Sequence, residues 1–251
     1  MTTLIPALAF ENVSKRYPDG GREIVVLDRV SFEVCAGVFV GVFGTRRSGK
    51  STLLRLAAGI ETPNTGTVRF QGRDMGEMSG VERERLLRRD IGLVSLLDWS
   101  PSSNERVVDQ VALSLGSDGP ALREARHRAR RVLARLDASS CADELARSLS
   151  MVERARIILA RTLIREPSVL LVDEPAVIPS LSERDQFCGL LRAVADEQGM
   201  TLVVASEETG PLHGAGVLLS IGDGELCSTE KRATIVPLPR RAAGGSDWSG
   251  R

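Results

Sequence analysis

The 251-residue sequence is poor in lysine, histidine and tyrosine. Lys15, Lys50 and Lys231 are its only lysines among 33 basic residues, His127 and His213 its only histidines, and Tyr17 its only tyrosine. Cys35, Cys141, Cys188 and Cys227 are scattered and form no C-x-x-C pair, and the histidines lie in unrelated contexts. Zinc-ligand spacing is therefore absent, and the cysteines read as small buried residues suited to a reducing compartment. No apolar run reaches the ~18 residues of a membrane span. The N-terminus lacks the basic flank and apolar stretch of a secretory signal. An excess of one charge is missing too, with 33 basic against 33 acidic residues, so no global field draws the chain to nucleic acid or lipid. The basic run Arg123–Arg135 has no aromatics interleaved with it and reads as a solvated helix face rather than a nucleic-acid surface. What remains is 42% hydrophobic content in a chain long enough for a real core.

Short apolar runs alternate with helical stretches, the pattern of an α/β sheet covered on both faces. Leu8–Val13, Val30–Val34, Val38–Phe43, Thr67–Phe70 and Ile91–Ser95 read as strands, and strand texture returns at Val169–Val172, Thr201–Ala205 and Val217–Ile221. Lys50–Ala58 reads as a helix ended by Gly59. Ile91–Ser95 leads into a polar loop, Asp98–Glu105, that carries Trp99. From about Val107 to Leu163 the texture is helical. There Leu122, Ala125, Ala129, Leu133 and Leu136 share one face and arginines cover the other. The Gly/Ser/Arg-rich residues 240–251 are expected to form a disordered tail.

The strand Val38–Phe43 runs into Gly44-Thr45-Arg46-Arg47-Ser48-Gly49-Lys50-Ser51-Thr52, which fits G-x-x-x-x-G-K-[ST]. Such a loop wraps phosphate with its backbone N–H groups, and the helix N-terminus behind it adds partial positive charge. Lys50 is expected to reach the β- and γ-phosphates of a nucleotide, and the Ser51 hydroxyl to coordinate Mg²⁺. In a chain so poor in lysine, one inside a glycine-rich loop stands out. Farther on, Val169-Leu170-Leu171-Val172 ends in Asp173-Glu174. The plain reading is a strand whose last acid caps the next element. Buried strands rarely end in adjacent carboxylates unless a cation is near, however, and paired with the phosphate loop the two acids take distinct roles. Asp173 is expected to hold Mg²⁺ through water, and Glu174 to polarise an attacking water.

With these motifs in place, the chain resembles ABC transporter ATPase subunits over nearly its whole length. Val13-Ser14-Lys15-Arg16-Tyr17 is similar to the segment ending in the aromatic that stacks on adenine. Ala58–Gly66 resembles the turn after the phosphate-loop helix, and Gly222-Asp223-Gly224 a late hairpin turn. Leu149-Ser150, with Arg156 and Leu159-Ala160-Arg161-Thr162-Leu163, falls where the family's signature helix lies. The wording around Glu82–Ile91 is most like the lipoprotein-release and macrolide-export branch, whose permeases are separate chains. The resemblance implies a P-loop α/β core, an antiparallel N-terminal β region and an inserted helical subdomain at about 97–163, all within an ATPase domain spanning 1–239. It implies ATP and Mg²⁺ as ligands, and an integral-membrane permease and a second ATPase subunit as partners, at the cytoplasmic face of the membrane and without nucleic acid.

Several positions depart from the family pattern. The L-S-G-G-Q signature reads Leu149-Ser150-Met151-Val152-Glu153, in which Ser150 and Glu153 have the spacing of a helix capping box. The family's glutamine after the Ile91–Ser95 strand aligns near Leu96, its loop aspartate with Ser180 and its switch histidine with Ser206. Arg47 replaces a usual glycine. The sequence thus keeps a binding apparatus and lacks much of the turnover apparatus. That pattern implies the degenerate half of a heterodimer, with a regulatory pseudo-ATPase and an active homodimer as the alternatives.

Overall fold

In the computed structural model, residues 5–96, 105–116 and 119–228 are described. Two sheets form, because the apolar residues occur in two patterns. β1 (Leu8–Asp19) and β2 (Arg22–Val34) make a long antiparallel hairpin. Together with β4 (Thr65–Phe70) and β5 (Arg73–Asp74) they give a four-stranded sheet ordered β2-β1-β4-β5. Both hairpin strands run further than the sequence suggested. The pairing slips at Val13, Lys15 and Arg16, and Asn12 takes a left-handed φ of 51°; such bulges break the alternation by which a strand is recognised.

The second sheet is ordered β10-β9-β3-β8-β7-β6. Its parallel members are β3 (Phe39–Phe43), β6 (Ile91–Ser95), β7 (Val169–Asp173), β8 (Thr201–Ser206) and β9 (Val217–Gly222). β10 (Glu225–Ser228) closes the edge antiparallel to β9. Every residue of β7 and β8 is buried, as expected of parallel strands covered on both faces. Successive side chains of β7 enter different cores. Val169 and Leu171 pack with Leu53, Leu54 and Leu56 of α1 (Lys50–Ala57), beneath the hairpin sheet. Leu170 and Val172 pack with α5 (Met151–Leu163) and α6 (Leu181–Gln198). This is the α/β class read from the sequence.

The helical stretch supplies α3 (Val107–Leu113) and α4 (Leu122–Arg135), and α2 (Gly80–Arg89) precedes β6. Ala125, Ala129, Leu133 and Leu136 are buried as their spacing predicts, whereas Leu122 is exposed. It sits in the first turn of α4, one turn before the packed stripe begins. The arginine face of α4 is solvated and paired with acids: Arg126 with Asp109, Arg128 with Glu124, Arg130 with Asp143 and Arg135 with Glu197. Trp99 and residues 240–251 lie outside the described residues. Among the described residues no helix is long and apolar enough to cross a membrane.

Candidate nucleotide site

The parallel register brings the C-terminal ends of β3, β7 and β8 to one edge of the sheet, where ligands bind in open α/β folds. Gly44–Lys50 leaves the end of β3, Asp173-Glu174 the end of β7 and Ser206-Glu207 the end of β8. Two glycines are required by close approach. A Cβ on Gly44 would lie 2.5 Å from Ser48 Oγ and 2.6 Å from the Ile221 carbonyl, and Gly49 has φ +105° with the Val26 carbonyl 2.9 Å from where a Cβ would be. Arg47 takes a left-handed φ of 64° without being glycine, a strain of order 1 kcal/mol for such a residue. A glycine at this position would adopt this conformation freely. Thr45, Arg46 and Arg47 are exposed.

Lys50 is only 5% exposed. Its Nζ donates to the carbonyls of Gly44 (2.8 Å) and Thr45 (2.9 Å), and lies 3.9 Å from carboxylate oxygens of both Glu174 and Glu207. The N-terminus of α1 has no side-chain cap at Gly49, so its first N–H groups face the loop unclaimed by a side chain. Ser48 Oγ is buried and without a hydrogen-bond partner. A backbone cradle that a Cβ would fill, a buried ammonium, an uncapped helix start and an unused hydroxyl together fit a bound phosphate chain. Ser51 and the buried Asp173 offer hard oxygen donors suited to Mg²⁺. Among the described residues no cluster of three or more His, Cys, Asp or Glu could hold a metal alone. Mg²⁺ needs none, since it is commonly bound by one or two carboxylates together with substrate phosphates.

Glu174 is a second strained member of the site, with φ 52° and ψ 62°. Its carboxylate accepts from Ser206 Oγ–H (3.1 Å) and from the Glu207 N–H (3.1 and 3.2 Å). Burial pushes the Glu174 carboxyl above the usual range, opposed by those hydrogen bonds and by the Lys50 charge. The Ser206 hydroxyl is thus committed to this carboxylate. The loop behind it is anchored as well. Glu208 N–H donates to Ser206 Oγ, and the buried Arg184 donates to the Ala176 carbonyl and pairs with both oxygens of Glu208.

Tyr17 lies beside the first turn of α1. Its hydroxyl donates to Glu61 and sits 3.5 Å from Thr52 Oγ1, and the Lys15 ammonium is 5.0 Å over the ring. Leu96, Ser180 and Ser150 each serve the local structure. Leu96 is buried, and Ser180 caps α6 by accepting from Glu183 N–H. Ser150 starts α5 with a complete capping box: its hydroxyl accepts from Glu153 N–H, and the Glu153 carboxylate accepts from Ser150 N–H. None of residues 150–153 has a positive φ. Sequence reasoning gave no role to Glu207 or Glu208. Their signal was an acidic pair directly after the end of a buried strand, the same feature that marked Asp173-Glu174.

A glycine loop between a parallel strand and a helix, closing on a buried lysine opposite strand-end acids, defines a P-loop nucleotide-binding protein. The particular family follows from comparison. A family model described as ABC transporter matches residues 27–177, and the chain belongs to that family. The lipoprotein-releasing system ATP-binding protein LolD of Oleidesulfovibrio alaskensis is 33% identical over 221 residues, 87% of this chain and 94% of the relative. The aliphatic sulfonates import ATP-binding protein SsuB of Cupriavidus necator is 34% identical over 239 residues, 95% of this chain and 73% of the relative. A dimeric structure of the ATP-binding cassette MJ0796 in a post-hydrolysis state, bound to ADP and Pi, matches with a TM-score of 0.81 at 23% identity, covering 90% of this chain and 100% of that one. The last likeness shows the fold. Family membership makes the chain an ABC-type ATPase with ATP and Mg²⁺ as its ligands.

Proposed function

We propose that this chain is the ATP-binding subunit of an ABC transporter, acting at the cytoplasmic face of the membrane beside a separate integral-membrane permease. It pairs there with a second, intact ATPase subunit. The ATPase unit spans 1–239, with a helical subdomain inserted at about 97–163. Gly44, Thr45, Arg46, Arg47, Ser48, Gly49 and Thr52 wrap the phosphates, Lys50 faces the β- and γ-phosphates, and Tyr17 stacks on adenine. Ser51 and Asp173 hold Mg²⁺, which supplies charge neutralisation across the terminal phosphates. Glu174 is the general base, and its raised proton affinity makes the ionised form a stronger acceptor.

The observation that carries the unequal pairing is the start of α5. In the family this segment faces the other subunit's γ-phosphate with a serine hydroxyl and glycine N–H groups. Here the Ser150 hydroxyl and the Glu153 carboxylate are engaged with one another's backbone, Val152 is buried, and Met151 is exposed. A homodimer would repeat that defect in both sites, whereas a partner with a good signature repairs the site built on this chain's Lys50. The loss of one charge-stabilising donor costs about 3 kcal/mol, roughly a hundredfold in rate. The isolated chain is therefore expected to hydrolyse ATP barely above background, and the assembled complex slowly but measurably. Robust turnover by the purified chain would instead identify an active homodimer.

The test is Glu174→Gln in the complex, compared with the matching change in the partner. A fall of roughly a hundredfold or more in residual turnover supports catalysis at this subunit's own site. Unchanged turnover would replace this reading with a regulatory subunit that binds nucleotide and does not turn it over. The engagement of the Ser206 hydroxyl with Glu174 favours that second reading.

A further inference from the structure

We infer that Glu207 biases this site toward nucleoside diphosphate over nucleoside triphosphate, so that the diphosphate is the ligand the subunit retains. The inference rests on the nucleotide-binding reading above and concerns a side chain given no role in it. Lys50 is the group that meets the terminal phosphates in a loop of this type. Its ammonium already faces two carboxylates, those of Glu174 and Glu207, each at 3.9 Å. At the ammonium itself two negative charges face one positive charge before any ligand arrives, while the guanidinium groups of Arg46 and Arg47 belong to the exposed part of the same loop.

The two acids are not equivalent. Glu174 is satisfied by the Ser206 hydroxyl and the Glu207 N–H. The Glu207 carboxylate has Lys50 as its only ion-pair partner among the described residues. Its backbone is fixed on both sides, since its own N–H holds Glu174 and the next residue, Glu208, is bound by the buried Arg184. From this fixed backbone the carboxylate reaches to 3.9 Å of the Lys50 ammonium, an internal anion competing for it. A triphosphate must displace it and then accept its repulsion, whereas a diphosphate brings one phosphate fewer to the same ammonium. Charges a few ångströms apart interact appreciably at the effective dielectric of a protein surface. Because the Glu207 side chain is 41% exposed, solvent and salt screen part of the effect.

The experiment is equilibrium titration of the purified chain with Mg²⁺ and either fluorescent ADP or a fluorescent non-hydrolysable ATP analogue. Wild type, Glu207→Gln and Glu207→Asp are compared, with circular dichroism as the check on folding. Glu207→Gln is expected to tighten the triphosphate about tenfold, a change of ~1.4 kcal/mol, and to move the diphosphate less than about twofold. Glu207→Asp, a shorter acid, should fall between. Equal tightening of both ligands, or no change in their ratio, overturns the inference while leaving the nucleotide site standing. Failure of folded wild-type and variant chains to bind either ligand removes the nucleotide reading and this inference together.

Discussion

Two helix starts in this molecule are built in opposite ways. α1 begins at Gly49 with no side-chain cap, at positive φ, behind a loop whose lysine is buried. α5 begins at Ser150 with both halves of a capping box made. A helix start leaves several N–H groups without intrahelical partners, and these must find side chains, water or ligand. The first start leaves them to the phosphate loop, at the cost of strain at Arg47. At the second, the chain satisfies itself. An anion-binding terminus is therefore distinguished less by its helix dipole than by the absence of a local competitor for its donors.

The largest test of this contrast is Lys50→Ala. Removing the ammonium should abolish nucleotide binding, weakening it by at least about a hundredfold, as titration with a fluorescent ATP analogue would reveal. Equal affinity in variant and wild type would mean that the open terminus alone suffices. Ser150→Ala should have the opposite profile. Loss of the cap is expected to cost ~1 kcal/mol of stability, seen as a fall of about 2–4 °C in Tm, with nucleotide affinity of the isolated chain unchanged. A drop in affinity there would break the distinction between the two starts. The smallest effect belongs to Tyr17→Ala, which should weaken ATP several-fold, by ~1 kcal/mol of lost stacking, while inorganic triphosphate binds as before. Equal losses for both ligands would make Tyr17 a packing residue tied to Glu61 and α1.

The strands of the parallel sheet were legible because each is a short, mostly apolar segment, and β6, β7, β8 and β9 begin where the sequence placed them. The capping box at Ser150 was legible because the two residues that make it are three apart in sequence. α6 was not singled out. Its buried face, Phe187, Cys188, Leu191, Val194 and Ala195, opens on a charged residue, Arg184, while the apolar Leu181 is exposed, and both blur the helical pattern in the sequence. α2 was missed for a related reason, since Leu86 is its one fully buried side chain. At the site, the loop and the strand-end acids could be read as strings. The pairing of Glu207 with Lys50 and of Arg184 with Glu208 could not, because each joins residues that only the parallel register brings together.

The Arg184 contacts give the site a stiffness that no single bond provides. Starting from Glu174, the chain reaches Ala176, whose carbonyl binds Arg184; Arg184 grips Glu208, whose N–H binds Ser206, and Ser206 returns to Glu174. The path is closed. A load applied to the turn after β7 is shared with the loop after β8, and neither can swing alone without straining the contacts of the buried Arg184 guanidinium. The two loops behave as one mechanical part, with the guanidinium as its rivet.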